Sequence, residues 1–297
     1  MTYFNRVKRL QPSSENRAKL TRLDKNERVS KLPQIFLKLF KDQLTSEKFS
    51  TYPEIFSFYE TLSKIHKKNK NCFFATAGID TGLKNSIELF GNKKIVILDP
   101  TFAMINIYCK VFNKKIIKVS YDKKLKIEFE KLIKTINNKV SLIILSNPNS
   151  PTGTILNTNQ IKKILDKAKR NNIMVVIDEA YYGFSKVTSM NLLNRYKNLI
   201  ILRTFSKAYG IAGLRVGYVI SNPKIIKKFN NIRPMYEINS LGILAANILM
   251  KNQFIKKNYL DEVENGKKFL LNFFKKKKIK YLNSEGNFIL FKLKKKK

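Results

Sequence analysis

The sequence predicts an α/β fold: a large domain on a mainly parallel, doubly wound sheet, joined to a smaller α+β domain. Four short runs of aliphatic residues are continuous rather than alternating, as in strands buried on both faces of a parallel sheet. An amphipathic stretch lies between two of these runs, giving the strand–helix–strand rhythm of a doubly wound fold. Each run also ends in polar residues, where the loops of an open sheet gather their ligands.

In chain order, Lys94–Leu98 (KIVIL) leads into Asp99-Pro100 and Ser141–Leu145 (SLIIL) into Ser146-Asn147-Pro148. Ile173–Ile177 (IMVVI) leads into Asp178-Glu179, and Leu199–Leu202 (LIIL) into Arg203-Thr204. Between the second and third runs, Thr158–Arg170 puts Ile161, Ile164, Leu165 and Ala168 on one helical stripe, with Thr158 or Asn159 as its expected cap. Crossovers of this kind are right-handed. The rhythm changes before about residue 50 and after residue 222. Residues 223–277 read mainly as helices, with Leu244, Ile248 and Leu249 and then Phe269, Leu270 and Phe273 at helical spacings. Phe288–Leu293 (FILFKL) reads as a strand, and the only low-complexity segments are the lysine runs Lys275–Lys278 and Lys294–Lys297. The chain accordingly divides into an N-terminal arm with a small-domain segment (1–45), a large domain (46–222) and a small C-terminal domain (223–297).

A chain of 297 residues that is 43% hydrophobic can bury a substantial core, which excludes disorder and a disulfide-stapled miniprotein. Its apolar runs fall far short of the roughly 20 residues that span a bilayer. Met1–Leu10 (MTYFNRVKRL) lacks the apolar stretch of a secretory signal, so a cytoplasmic location is expected. The net charge of +38 would suit nucleic acid or an anionic membrane, but 49 of the 59 basic residues are lysines spread through every segment. That texture reads as compositional drift, and neither partner is expected. Cys72 and Cys109 lack metal-ligand spacing, and the single histidine, His66, reads as a solvated helix residue. No metal is expected, and a Ser-His-Asp mechanism has no material.

The remaining chemistry lies after consecutive strands: Asp178 with Tyr181, then Ser206 with Lys207, followed by Arg215. A carboxylate, a phenol, a hydroxyl, an amine and a guanidinium would meet in one crevice. Singly, each has a plainer reading: Asp178 as a helix cap, Tyr181 as packing, Lys207 as one lysine among many, Gly78–Gly82 as an ordinary turn.

The words around them are more specific. Ser146–Gly153 (SNPNSPTG), Val176–Tyr181 (VIDEAY) and Arg203–Gly217 (RTFSKAYGIAGLRVG), in this order and spacing, resemble the class I/II, fold-type I pyridoxal-phosphate aminotransferases. Leu23–Glu27 (LDKNE), Thr51–Pro53 (TYP), Gly78–Gly82 (GIDTG) and Pro100–Met104 (PTFAM) look like the histidinol-phosphate aminotransferase branch, and the resemblance runs from about residue 23 to residue 293. It implies a pyridoxal 5'-phosphate (PLP) enzyme whose large domain binds the cofactor and which moves an amine, with glutamate as the expected donor, to an oxo substrate. Under it, Lys207 matches the Schiff-base lysine and proton carrier, Asp178 the partner of the pyridine nitrogen, and Tyr181 the donor to the ring 3-oxygen, with Phe102 stacked on the ring face. Ile79 and Asp80 at a helix start, Ser206 and Arg215 would hold the phosphate, and Tyr52 would reach it from the partner subunit of a homodimer.

Two departures accompany the resemblance. The asparagine that usually precedes Pro-Thr-Gly and contacts the ring 3-oxygen is Ser150 here, a shorter donor that Asn149 is expected to supplement. Relatives also continue past the strand resembling Phe288–Leu293, through an arginine that grips the substrate carboxylate, whereas this chain has no arginine after Arg233. The small domain is therefore expected to be C-terminally truncated, or a lysine to serve as the anchor. Two alternatives stay open: a PLP-dependent decarboxylase of a phosphorylated amino acid, and a truncated, inactive aminotransferase-like protein.

Overall fold

The structure, a computed structural model, describes residues 16–293; Met1–Leu10 and the Lys294–Lys297 run lie outside the described residues. A short 3-10 turn at Arg17–Lys19 precedes α1 (Gln34–Asp42), α2 (Glu47–Ser50) and α3 (Phe56–His66). The alternating part follows: β1 (Phe73–Thr76), α4 (Ile79–Phe90), β2 (Lys94–Asp99), α5 (Ala103–Val111), β3 (Ile116–Ser120), α6 (Phe129–Thr135), β4 (Val140–Ser146), α7 (Thr158–Arg170), β5 (Met174–Asp178), β6 (Leu199–Thr204) and β7 (Gly217–Ser221). Then come α8 (Pro223–Ile232), α9 (Ser240–Lys251), α10 (Gln253–Lys276) and a two-stranded antiparallel pair, β8 (Lys280–Tyr281) with β9 (Phe291–Lys292).

The main sheet runs β1-β7-β6-β5-β4-β2-β3. Only β7 opposes the common direction, pairing antiparallel with both β1 and β6. Register places Ser146 beside Asp178 and Asp178 beside Leu202. The carboxyl ends of β4, β5 and β6 are therefore level, and their loops open on one side. The four expected strands all form.

Successive residues of each central strand enter opposite layers. Ile143, Leu145, Val175, Ile177 and Ile201 pack in one layer with Ile161, Ile164, Leu165 and Ala168 of α7, while Leu142, Ile144, Val176, Ile200 and Leu202 pack in the other with Leu83 and Ile87 of α4. Each fully buried aliphatic side chain stabilises the fold by roughly 1.5–3 kcal/mol relative to exposure. That burial on both faces is why the strands read as unbroken apolar runs.

Three local expectations are corrected: the cap of α7, the strand at Phe288–Leu293 and the setting of His66. Neither Thr158 nor Asn159 caps α7; Asn157 does, its side chain accepting from Gln160 N at 2.9 Å while Gln160 Oε1 accepts from Asn157 N at 2.9 Å. This reciprocal capping box satisfies two otherwise orphaned donors one residue earlier than expected. Phe288–Leu293 is not one strand: only Phe291–Lys292 pairs, because Phe288 turns to meet Tyr181 edge-on with ring centroids 5.0 Å apart. On α10 the helical spacing is present, but Phe269 and Phe273 are exposed and Phe274 is the buried ring, against Tyr281 and Phe291.

His66, finally, is half-buried rather than a freely solvated helix residue. Its Nε2 lies 3.0 Å from the Tyr218 hydroxyl and its ring packs beside Phe73. Burial, reinforced by the nearby Arg203 and Lys256 charges, pushes the imidazole down to about 3. Among the described residues no helix is long and apolar enough to cross a membrane.

The folded state thus holds His66 neutral where the unfolded chain protonates it, so its contribution is intact above pH 6.5 and is lost as pH falls toward about 3. His66→Gln keeps a polar partner for Tyr218 without titrating. Urea denaturation across this range is expected to show a shallower loss of stability in the variant than in the parent.

Candidate active site

Asp178 ends β5 at the floor of the crevice, 4% exposed. Ser146 Oγ, at the end of β4, donates to its Oδ2 at 3.1 Å and Ala180 N donates to its Oδ1 at 2.9 Å. Among the described residues it has no ion-pair partner. Burial pushes it up to about 6, those two hydrogen bonds restrain the rise, and the Asp80 and Glu179 charges add to it. A carboxylate left unpaired in this way favours an N–H cation as its ligand.

Tyr181, three residues on, is buried with its hydroxyl 3.0 Å from Asn26 Nδ2. Burial raises the phenol, and hydrogen bonds from Asn26 and Ser150 pull it back. The loop after β6 carries Ser206 and Lys207. It is pinned by Phe205, which is wholly buried, stacks on Tyr209 and donates its own N–H to Val216 O at 2.9 Å. Lys207 Nζ donates to Lys25 O and lies 5.9 Å from the Tyr181 ring centroid. Burial lowers its ammonium, helped by Arg215 and opposed by Glu27, Asp178 and Asp80.

The opposite end of the pocket is built for an anion. Gly78 caps α4 with φ of 80°, a conformation that favours glycine, and a Cβ there would fall 2.2 Å from Arg215 Nη2, so any side chain would displace the guanidinium. The first-turn N–H groups, including those of Ile79 and Asp80, have no acceptors within the helix and lie at the positive end of its dipole. Arg215 reaches over this turn, its Nη1 donating to Ser206 Oγ at 3.3 Å and its Nη2 to Ala77 O at 3.3 Å and Asp80 Oδ2 at 3.4 Å.

Ile79, Asp80, Phe102, Ser150, Asp178, Tyr181, Ser206, Lys207 and Arg215 all line one pocket of about 760 Å³. That volume suits a cofactor with its substrate. Tyr52 does not line it; its ring is 72% exposed, stacks on Tyr236 at 3.9 Å and faces a separate cleft. Asn149 does not supplement Ser150 either. It is wholly buried, its Nδ2 donating to Pro100 O and Thr152 Oγ1 at 3.0 Å each and its Oδ1 accepting from Thr101 Oγ1 at 2.7 Å.

Sequence reasoning passed over three features. Asn26 and Lys25 form the pocket's outer wall, although both stand in the quoted word LDKNE. Arg17 also lines the pocket, ion-paired to Asp24 and Glu27. Behind the floor, Arg203 Nε and Nη2 donate to Glu179 Oε2 at 3.0 and 2.8 Å, with both side chains 2% exposed. Glu179 and Arg203 sit beside the chemical residues in their words, but nothing in the sequence marks them as a pair.

A pocket with an anion cradle at one end, an unpaired buried carboxylate at the other and a desolvated amine between fits PLP, whose phosphate and pyridine nitrogen stand at opposite sides of a reactive carbonyl. The family model for aminotransferase class I and II matches residues 19–297, and the chain belongs to that family, the PLP-dependent transaminases. Among curated proteins it is similar to the histidinol-phosphate aminotransferase of Thermoanaerobacter sp. strain X514, 32% identical over 278 residues, which span 92% of this chain and 78% of that one. The Pyrococcus furiosus histidinol-phosphate aminotransferase is likewise 32% identical, over 91% of this chain and 78% of its own length. Among solved structures, the Sinorhizobium meliloti histidinol-phosphate aminotransferase in complex with PLP has the same fold, with a TM-score of 0.80 at 21% identity, covering 89% of this chain and 73% of that one.

The raised Asp178 has a consequence in the cofactor-free protein. The fold holds its proton more tightly than the unfolded chain does at 3.8, so the contribution of Asp178 to stability is greatest below that value and is lost as pH rises to about 6. Asp178→Asn removes the titration. It is expected to stabilise the cofactor-free protein by about 2–3 kcal/mol at neutral pH and by little at acid pH, as denaturant titrations at the two extremes would show.

Proposed function

We propose that the chain interconverts histidinol phosphate and its oxo counterpart, with glutamate as amino donor, by a ping-pong transamination in the pocket around Lys207. The observation that carries this reading is the convergence of Lys207, Asp178, Tyr181 and Arg215 on one pocket. The two curated relatives supply the substrate class. Such small polar substrates suit a cytoplasmic enzyme.

PLP, when bound, supplies an electron sink for charge developed at the substrate carbon. The residues of this chain hold and steer. Arg215, Ser206 and the N–H groups of Ile79 and Asp80 would hold the phosphate as fork, hydroxyl and helix terminus. Asp178, as an anion, would hold the pyridine N–H, a cation that would in turn favour its ionisation. Phe102 would pack against the ring, and Tyr181 with Ser150 would hold the ring oxygen. Lys207 would hold the cofactor through its amine and would carry the proton at the substrate carbon, and its lowered ammonium suits it both to take a proton and to return it. The exposed ring of Tyr52 reaches the phosphate of a partner subunit in a homodimer with shared sites.

Two measurements test the reading. The purified chain with added PLP is expected to show a visible absorption band that glutamate bleaches; Lys207→Ala abolishes the band, and a band that survives the substitution would overturn Lys207's role. Arg215→Ala and Gly78→Ala, which strike the anion cradle from two sides, are each expected to weaken PLP affinity by about ten- to a hundredfold in equilibrium titration, the loss of one or two charge-assisted hydrogen bonds.

A further inference from the structure

We propose that Asn26 is a positioning residue for Tyr181: its carboxamide donates to the phenol oxygen and so commits the phenol's own proton to the pocket. The inference rests on the cofactor reading above for its consequence, and on geometry alone for the contact. A tyrosine hydroxyl has one proton to give and two lone pairs to offer. Asn26 Nδ2 lies 3.0 Å from the Tyr181 oxygen and, as an amide nitrogen, can only donate. Ser150, the other group on that oxygen, carries a hydroxyl that either gives or takes. Asn26 is thus the partner that sets the direction of the bond.

The contact is built to persist. Asn26 has φ of 52°, a left-handed conformation that asparagine tolerates better than most residues. Its carbonyl accepts from Asn287 Nδ2 at 3.0 Å, and the carbonyl before it accepts from Lys207 Nζ. Two residues later the Arg28 guanidinium sits 4.2 Å above the Tyr259 ring. The charged groups acting on Tyr181 are Lys207, over its ring face, and Asp178, beyond it on the pocket floor. Phe288 covers the ring edge-on and brings no charge. A phenol that accepts from an amide is a stronger donor, so with PLP bound it favours the deprotonated ring oxygen.

The test uses the full chain with two substitutions that keep the left-handed backbone accessible: Asn26→Gly removes the amide, and Asn26→Asp keeps its shape but replaces the donor with an acceptor. In the ligand-free protein, 13C NMR of ring-labelled tyrosine follows the Tyr181 phenol, assigned as the signal lost in Tyr181→Phe. Both substitutions are expected to raise its pKa, aspartate more than glycine. With PLP added, the pH midpoint of the visible band is expected to rise in the same order, and in a Tyr181→Phe background neither substitution shifts it further. An unchanged Tyr181 titration in both variants overturns the proposal, as does an undiminished shift of the band in the Tyr181→Phe background. If the unsubstituted chain gives no Lys207-dependent band, the cofactor reading fails instead, and the ligand-free titration still decides the role of Asn26.

Discussion

Glu179 and Arg203 form an ion pair that water does not reach, and the geometry of the pocket hangs on it. Glu179 follows the last residue of β5, and Arg203 is the penultimate residue of β6. Their side chains therefore clamp the two strand ends from which Asp178 and Lys207 depart. The clamp is closed further by Thr188 Oγ1, which accepts from Arg203 Nη2 at 2.8 Å, and by Tyr182, whose ring lies 3.4 Å from the guanidinium carbon. Ser189 N donates to Glu179 Oε1 at 2.6 Å, tying the following loop to the same carboxylate. A buried pair of this kind adds little net stability, yet losing one partner strands a charge in the interior at a cost of about 3–5 kcal/mol. Its value here is registry: an amine and a carboxylate on different strands keep a fixed separation.

Above that clamp the pocket is electrically graded. Arg215 and the start of α4 make one end positive, while Asp178, which has no ion-pair partner among the described residues, makes the other end negative. Asp80 tempers the positive end through its contact with Arg215, as both side chains are partly exposed and such pairs are weak. The gradient orients a ligand that is anionic at one end and cationic at the other before any contact is complete. The positive φ explains the glycine at 78, while the squeeze between the backbones of Gly78 and Arg203 explains Gly217, where a Cβ would lie 2.7 Å from Gly78 C.

Much of this was legible in the sequence because the features concerned are local. Continuous aliphatic runs announce strands buried on both faces, and each of the four expected strands formed within a residue or two of its run. Nine of the ten expected site residues share one pocket, since each follows a strand end or opens a helix. What escaped is nonlocal or side-chain specific. The bond from Asn26 to Tyr181 joins residues 155 apart, and no periodicity reports it. His66 ends α3 among lysines, Lys64 before it and Lys67 and Lys68 just past the helix, and these neighbours give no sign that the ring itself meets Tyr218. Phe288–Leu293 has the composition of a strand, but its first three residues lie outside the pairing, with Phe288 set edge-on against Tyr181 instead. Asn149 stands next to Ser150 in sequence, yet the turn sends the two side chains to different neighbours.

The outer wall of the pocket joins stretches from the two ends of the described chain. Asn287 Nδ2 holds the carbonyl of Asn26 across 261 residues, and Glu285 N donates to Gly153 O at 2.9 Å. The sheet draws its seven strands from residues 73–221. During synthesis, then, the floor carrying Asp178, Tyr181 and Lys207 can assemble while the ribosome is still making the segment that secures the wall. Closing so long a loop comes late because its entropy must be met before its contacts exist. The residues that carry the chemistry thus belong to a sheet that is complete in sequence by residue 221, while the wall that encloses them is fastened by residues 285 and 287.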